Sequence, residues 1–190
     1  MINKSDRPQQ IRSVAVIGSG MAGLTAALLL QSRGVKVTVF EKSRGPGGRL
    51  ASKRVSGGSA DMGAQYFTVR NPAFMEFLEQ HAGKDSFVTW QGRFGYQKGA
   101  NYWEAFPDEQ RFVGVPRMTA ISRSLSVNVN LIAERRIACI DSSPDGHTLV
   151  STEGEKSGPF DAVVITAPPA QARDLLQDSD CIRRARMLDD

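Results

Sequence analysis

The sequence predicts an α/β fold built on a parallel sheet, and three observations carry that prediction. The run Val14-Ala15-Val16-Ile17 is uniformly apolar, as in a strand buried on both faces. The glycine-punctuated turn Gly18-Ser19-Gly20-Met21-Ala22-Gly23 follows at once and opens a helical stretch, 24–33, with Gly34 as its stop. A second apolar strand, 35–40, then delivers Glu41, 18 residues past Gly23.

Each piece of this βαβ unit has a chemical reason. The first glycine lets the backbone leave the strand sharply, the second allows close approach to a pyrophosphate, and the third lets helix and strand pack tightly. The helix that begins there aims its unpaired N–H groups and positive dipole end at phosphate. A carboxylate at the end of the second strand can accept the ribose hydroxyls of an adenosine. Glycines at this spacing recur by chance in a chain with 18 of them, but the flanking strand, helix and acid make the signal specific for a dinucleotide in a Rossmann-like unit.

The next cluster, Arg44-Gly45-Pro46-Gly47-Gly48-Arg49, also makes a good surface turn. Placed after Glu41, it reads as a second phosphate-facing segment: Gly47-Gly48 permits close backbone approach, and Arg44 and Arg49 supply cationic donors. Residues 61–68 read as a short strand entered through Gly57-Gly58. Asn71 caps a helix with Pro72 in its first turn, and Phe74, Phe77 and Leu78 form a core-facing stripe that ends near Gly83. Most of the aromatic residues fall between Phe87 and Phe112, in turn-rich sequence that reads as strands of an inserted layer with the rings filling its core. Pro116 starts a helix through about residue 125, and 137–140 and 148–151 form a hairpin. Residues 160–166 read as one buried strand delivering Thr166 to a helix start at Pro168-Pro169, and ligands sit at such carboxyl ends. The expected organisation is a dinucleotide-binding βαβ over 11–70, part of an inserted layer over 71–126, a return to the first domain over 127–178, and a charged tail over 179–190.

Composition excludes several classes. The net charge of +4 comes from scattered basic residues mixed with 20 acidic ones, and the doublets Arg135-Arg136 and Arg183-Arg184 extend into no basic block, so nucleic acid is not the expected partner. Cys139 and Cys181 form no CxxC and read as thiols in a reducing compartment. His81 and His147 lack metal-ligand spacing, so no metal site is expected. The uncharged stretch 13–31 imitates a signal peptide or a membrane span. Its three loop glycines divide it into strand, turn and helix instead, which points to a cytoplasmic protein with a short polar leader, 1–10, and no membrane partner.

With these motifs in place, residues 11–172 resemble the flavin-containing amine oxidase superfamily, and within it the bacterial renalase-like FAD-dependent oxidoreductases. The resemblance rests on residues 16–23, 41–49, 61–67, the run Gly114-Val115-Pro116-Arg117-Met118, and 163–169. It implies FAD as cofactor. The loop backbone from Gly18 through Ser19, Gly20, Met21 and Ala22 to Gly23 would hold its pyrophosphate, and Glu41 and Lys42 would flank its ribose. Arg49 and Gly47-Gly48 would lie by phosphate and the isoalloxazine side, Ala64, Gln65 and Tyr66 beside the flavin ring, and the Ile137 backbone against adenine. On the residues alone, Gln65-Tyr66 is an ordinary half-buried strand pair.

The chemistry the resemblance implies is hydride transfer from a small reduced substrate, with oxygen as the final acceptor and hydrogen peroxide as product. Renalase-like members act on misreduced dihydronicotinamide dinucleotides; an amine-like donor is the other substrate class the superfamily suggests. The flavin carries such a reaction and a dihydropyridine donor needs no general base, so the sequence singles out no catalytic residue. The superfamily continues past this point to a late Gly-Asp flavin segment that nothing after Pro169 resembles. A natural truncation, a frameshifted reading frame and a fragment all remain open, as does the oligomeric state. Two competing functions share the glycine loop: an inert nucleotide-binding module, and an NAD-dependent dehydrogenase that leaves the 44–49 cluster unexplained.

Overall fold

A computed structural model describes residues 10–177 and Ser179. The expected leader up to residue 9, Cys181 and the tail from residue 180 lie outside the described residues. In chain order the elements are β1 (Ser13–Ile17), α1 (Met21–Gln31), β2 (Lys36–Phe40), β3 (Ser52–Val55), β4 (Gly58–Asp61), β5 (Phe67–Thr68), α2 (Pro72–His81), β6 (Phe87–Thr89), β7 (Gly95–Gln97), β8 (Trp103–Ala105), β9 (Arg111–Gly114), α3 (Thr119–Ser126), β10 (Asn130–Ile132), β11 (Ile137–Ser143), β12 (Gly146–Ser151), β13 (Lys156–Phe160), β14 (Ala162–Ile165) and α4 (Pro169–Gln177). They fall into two compact units. One runs to Gly45 and resumes at Asn128, and the other spans Pro46–Val127.

The first unit holds a four-stranded parallel sheet in the order β10-β2-β1-β14. Its central strand is covered on both sides, which explains its uniformly apolar sequence. Val14 and Val16 face a cluster with Ala27 of α1, Val37 and Val39. Ala15 faces the opposite way, toward Phe40, Leu149 and Phe160, where the antiparallel meander β11-β12-β13 contributes to the second face. In α1 the buried positions Leu24, Ala27 and Leu28 repeat at helical spacing and turn one stripe to the sheet.

The second unit is built from short antiparallel pieces: the hairpin β3-β4, the sheet β5-β9-β6 and the hairpin β7-β8. Phe67, Phe87 and Phe112 pack together with ring centroids 5.4 to 6.2 Å apart, and Phe74 of α2 lies 6.3 Å from Phe67. Asn71 caps α2 as the sequence predicts, its side chain accepting from the Ala73 N–H at 3.0 Å. The hairpin β3-β4 is tied to the start of α3 by polar contacts. Ser52 Oγ donates to Asp61 Oδ1 (2.5 Å), and that same oxygen accepts from the Met118 N–H (3.2 Å). Ser52 Oγ in turn accepts from the Thr119 hydroxyl (2.5 Å) and N–H (3.2 Å). Residues 46–70, placed with the first domain from sequence, lie in this second unit.

Several boundaries differ from the sequence reading, each for a local reason. Helix α1 begins at Met21 rather than 24, because the third loop glycine is already helical. The expected strand 61–68 stops at Asp61 and resumes only at Phe67. Between them the chain folds back, with the Ala64 N–H donating to the Arg49 carbonyl (2.9 Å). Helix α3 starts at Thr119, since Gly114 lies hard against Arg117 and Met118 and holds 114–118 as a turn. The expected strand 160–166 is two strands, β13 and β14, divided at Asp161. That carboxylate accepts from the N–H groups of Arg12 (2.8 Å) and Ser13 (2.7 Å) and from the Ser13 hydroxyl (3.0 Å), anchoring the start of β1. The aromatic run is only partly core: Phe87 and Phe112 are buried, while Trp90, Tyr102 and Trp103 are exposed.

Gly63 tests the backbone contact that interrupts the 61–68 segment. A Cβ there would lie 2.0 Å from the Arg49 carbonyl oxygen, whereas one at Gly45 would meet nothing within 4 Å. We expect Gly63→Ala to lower stability to urea by about 1–3 kcal/mol or more and Gly45→Ala to stay within about 0.5 kcal/mol of wild type. Equal unfolding midpoints for the two variants would contradict this packing.

Candidate functional site

The site lies at the carboxyl end of the parallel sheet, where the chain leaves β1 for β2 on one side and β14 lies on the other. Such a reversal of strand order opens a crevice for ligands in α/β sheets. Gly18 leaves β1 with φ +104°, a conformation that suits glycine, and its N–H donates to the Phe40 carbonyl at 2.8 Å. A Cβ at Gly23 would lie 2.0 Å from the Gly18 carbonyl oxygen, so helix and strand touch backbone to backbone. Helix α1 has Gly20 as its N-cap and no side-chain cap. The first intrahelical acceptor serves Leu24, whose N–H donates to the Gly20 carbonyl (3.0 Å). The donors ahead of it, at Met21, Ala22 and Gly23, therefore have no acceptor in the helix.

Glu41 closes the other side of this loop. It is 7% exposed. Its Oε2 accepts from the Ser19 N–H (3.0 Å) and the Ser19 hydroxyl (2.7 Å), and its Oε1 accepts from the Ser43 N–H (2.9 Å). Burial pushes the Glu41 pKa up, but the hydrogen bonds from Ser19 and Ser43 outweigh it and hold the carboxyl below the ordinary carboxylate value. The Ser43 hydroxyl also interacts with this carboxylate and helps to hold its pKa down. The Arg135 N–H donates to the Glu41 carbonyl (2.8 Å) and the Glu134 N–H to the Ser43 carbonyl (3.0 Å), so the segment behind the carboxylate is pinned.

The remaining expected residues of this unit have distinct positions. Lys42 Nζ donates to Gln171 Oε1 (3.0 Å), a bond running from the strand on one side of β1 to the helix after the strand on its other side. The Thr166 hydroxyl faces the loop carbonyls, 3.0 Å from that of Ile17 and 3.2 Å from that of Gly18, so it supports the turn from beneath. Ile137 begins β11 and packs with Ala15, Phe40 and Leu149. Arg44 is exposed and has no side-chain partner among the described residues.

In the second unit Gly47 and Gly48 have φ +154° and +52° and lead into a single 3-10 turn. Arg49 is exposed there, and its carbonyl receives Ala64. Gln65 is exposed and Tyr66 half-buried.

The sequence reading used only the backbone of Ser19 and missed its hydroxyl; a hydroxyl-bearing residue between the first two glycines, facing an acid at the end of the next strand, was the available signal. Gln171 carried no signal of its own. Among the described residues no group of His, Cys, Asp and Glu could hold a metal ion, and no helix is long and apolar enough to cross a membrane.

Comparison with known proteins agrees with this geometry. Residues 16–81 match the NAD(P)-binding Rossmann-like domain. The chain carries a Rossmann-like dinucleotide-binding segment. It is 44% identical over 63 residues to hydroxyneurosporene desaturase of Rubrivivax gelatinosus, covering 33% of this chain and 12% of that protein. It is 43% identical over 68 residues to protoporphyrinogen oxidase 2, chloroplastic/mitochondrial, of Arabidopsis thaliana, covering 36% and 13%. The fold is shared with putrescine oxidase bound to putrescine, at TM-score 0.68 and 14% identity over 88% of this chain and 60% of that one. It is also shared with a CLA-producing fatty acid isomerase from P. acnes, at TM-score 0.67 and 14% identity over 96% and 64%. The chain spans about an eighth of the length of the two curated relatives described, 12% and 13%.

The Glu41 contacts make stability depend on pH with a definite sign. A folded-state pKa below the unfolded one gives stabilisation that is present above the unfolded value and is lost as pH falls through the folded one. Between about pH 6 and about pH 3 the urea midpoint of wild type should fall more steeply than that of Glu41→Gln. Parallel pH profiles for the two proteins would show that the Ser19 and Ser43 contacts contribute nothing at this carboxylate.

Proposed function

We propose that this chain binds FAD and serves an oxidoreductase that takes a hydride from a small reduced molecule. The observation that carries this reading is the uncapped start of α1 at the end of β1, with the Glu41 carboxylate across from it. The residues present fit the group. The free N–H donors of the first helical turn and its positive end suit a pyrophosphate, an arrangement worth about 0.3–1 kcal/mol per charge in exposed settings and up to about 2 kcal/mol when partly buried. A carboxylate at the end of the second strand suits a ribose hydroxyl, and its negative charge disfavours a 2′-phosphate at the same place. Lys42 would flank that ribose, and the Ile137 backbone would meet the adenine. Gly47, Gly48, Arg49, Ala64, Gln65 and Tyr66 are the second-unit residues assigned to the cofactor, and Arg44 remains a cationic donor for phosphate.

FAD when bound supplies two-electron redox chemistry, with oxygen reoxidising it to give hydrogen peroxide. The protein's own residues bind and orient: Ser19 and Thr166 fix the loop, and Gly23 holds helix to strand. The similarity to a desaturase over 63 residues and to protoporphyrinogen oxidase over 68 residues supports an oxidoreductase. The finer reading, a renalase-like enzyme acting on misreduced dihydronicotinamide dinucleotides in the cytoplasm, rests on the motifs at 41–49 and 61–67.

Purified protein should be yellow and should oxidise dihydronicotinamide isomers with release of peroxide. Gly20→Val or Glu41→Ala should lower FAD retention by about tenfold or more, while Lys156→Gln, on exposed β13, should not. A colourless protein that takes up no added FAD would overturn the cofactor assignment. Bound FAD without turnover of these isomers would overturn only the renalase-like substrate.

A further inference from the structure

Arg111 in β9 is only 6% exposed, yet it has no carboxylate partner among the described residues. Nη1 donates to the Glu109 carbonyl (2.9 Å) and Nη2 to the Pro107 carbonyl (3.3 Å). Its Nε–H is buried without an acceptor. The other neighbours are rings. The guanidinium carbon lies 4.7 Å from the centroid of Phe94, 5.0 Å from Phe106 and 5.8 Å from Tyr66. Trp90 lies 4.8 Å from Phe94 and 5.9 Å from Tyr66, and at 39% exposure it forms the outer wall of this cluster.

A guanidinium carries five N–H donors in a rigid fork, and buried charges in proteins are as a rule paired. Here two donors meet neutral carbonyls, the aromatic faces offset part of the charge, and no carboxylate among the described residues completes the set. The parity of β9 creates the arrangement. Phe112 points to the phenylalanine core with Phe67 and Phe87, and Arg111, its neighbour, points to the other side of the sheet. The chemical complement of a cationic fork walled by rings is a planar ring bearing an anion, whose oxygens take the free donors while the ring stacks.

We propose that Arg111 anchors the anionic group of an aromatic or heteroaromatic substrate in the second unit, with Trp90 and Tyr66 flanking the ring. This deepens the oxidoreductase reading by assigning a substrate class. Its test reads Trp90 rather than flavin or turnover, so failure of the anion site and failure of the cofactor assignment are separate results.

The chain has two tryptophans, so a Trp103→Phe background makes Trp90 the sole tryptophan reporter. Full-length protein is titrated with benzoate, phenyl phosphate and neutral benzamide while Trp90 fluorescence is followed. A saturable change is expected with benzoate or phenyl phosphate, the tighter of the two identifying carboxylate or phosphate as the group recognised. Benzamide should bind at least about tenfold more weakly, and Arg111→Lys should weaken the anion by about tenfold or more with an unchanged circular dichroism spectrum. The benzoate-to-benzamide comparison needs no Arg111 variant and stands even if Arg111→Lys fails to fold. No saturable response to either anion, equal affinity for benzamide, or undiminished anion binding by a folded Arg111→Lys would overturn the proposal and leave Arg111 a packing cation.

Discussion

The contact on which the first unit depends is the meeting of α1 with the end of β1, where a side chain on Gly23 would enter the Gly18 carbonyl. That approach sets the height of the helix over the sheet and lets Leu24, Ala27 and Leu28 reach it. It also turns the first N–H groups of α1 toward the carboxyl end of the sheet. Two hydroxyls fix the loop once it has formed: Thr166 beneath it on the Ile17 and Gly18 carbonyls, and Ser19 beside it on Glu41. Contacts within the chain thus hold the shape of the loop, which lowers the cost of ordering it around a ligand.

Much of this unit was legible in the sequence because its signals are local. A buried parallel strand reads as a continuous β-branched run, the glycines mark the turn, and the hairpin around Pro144-Asp145 is framed by two apolar runs. What escaped was set by long-range polar contacts. Asp161 divides the 160–166 run because its carboxylate is drawn to the N–H groups at the start of β1, nearly 150 residues earlier in the chain (sequence separations 149 and 148). β10, with three residues, is too short to show a period but pairs with β2 as the edge strand. Of the candidate site, the backbone positions and Glu41 could be read from spacing. The commitments of Ser19, Lys42 and Thr166 could not, since they depend on which strand ends become neighbours.

The second unit obeys a different logic. Its elements are short, and polar pins such as the Asp61-Ser52-Thr119 chain, together with a small phenylalanine core, hold them. The turn-rich sequence between Phe87 and Phe112 suggests rings filling the core of an inserted layer. The structure divides the rings across the two faces of one sheet, Phe67, Phe87 and Phe112 on one and the Arg111 cluster with Phe94 and Phe106 on the other. A strand's two-residue period makes such a division possible, but in turn-rich sequence the register that produces it becomes visible only once β5, β9 and β6 are paired.

We propose that the first unit is a cradle for the adenosine diphosphate half of a dinucleotide. Isothermal titration of the purified chain with FAD and with FMN, which lacks that half, tests it most directly. FAD should bind, and FMN should bind at least about 100-fold more weakly, a difference of about 2.7 kcal/mol. Equal affinity for the two, or binding of FMN alone, would contradict it.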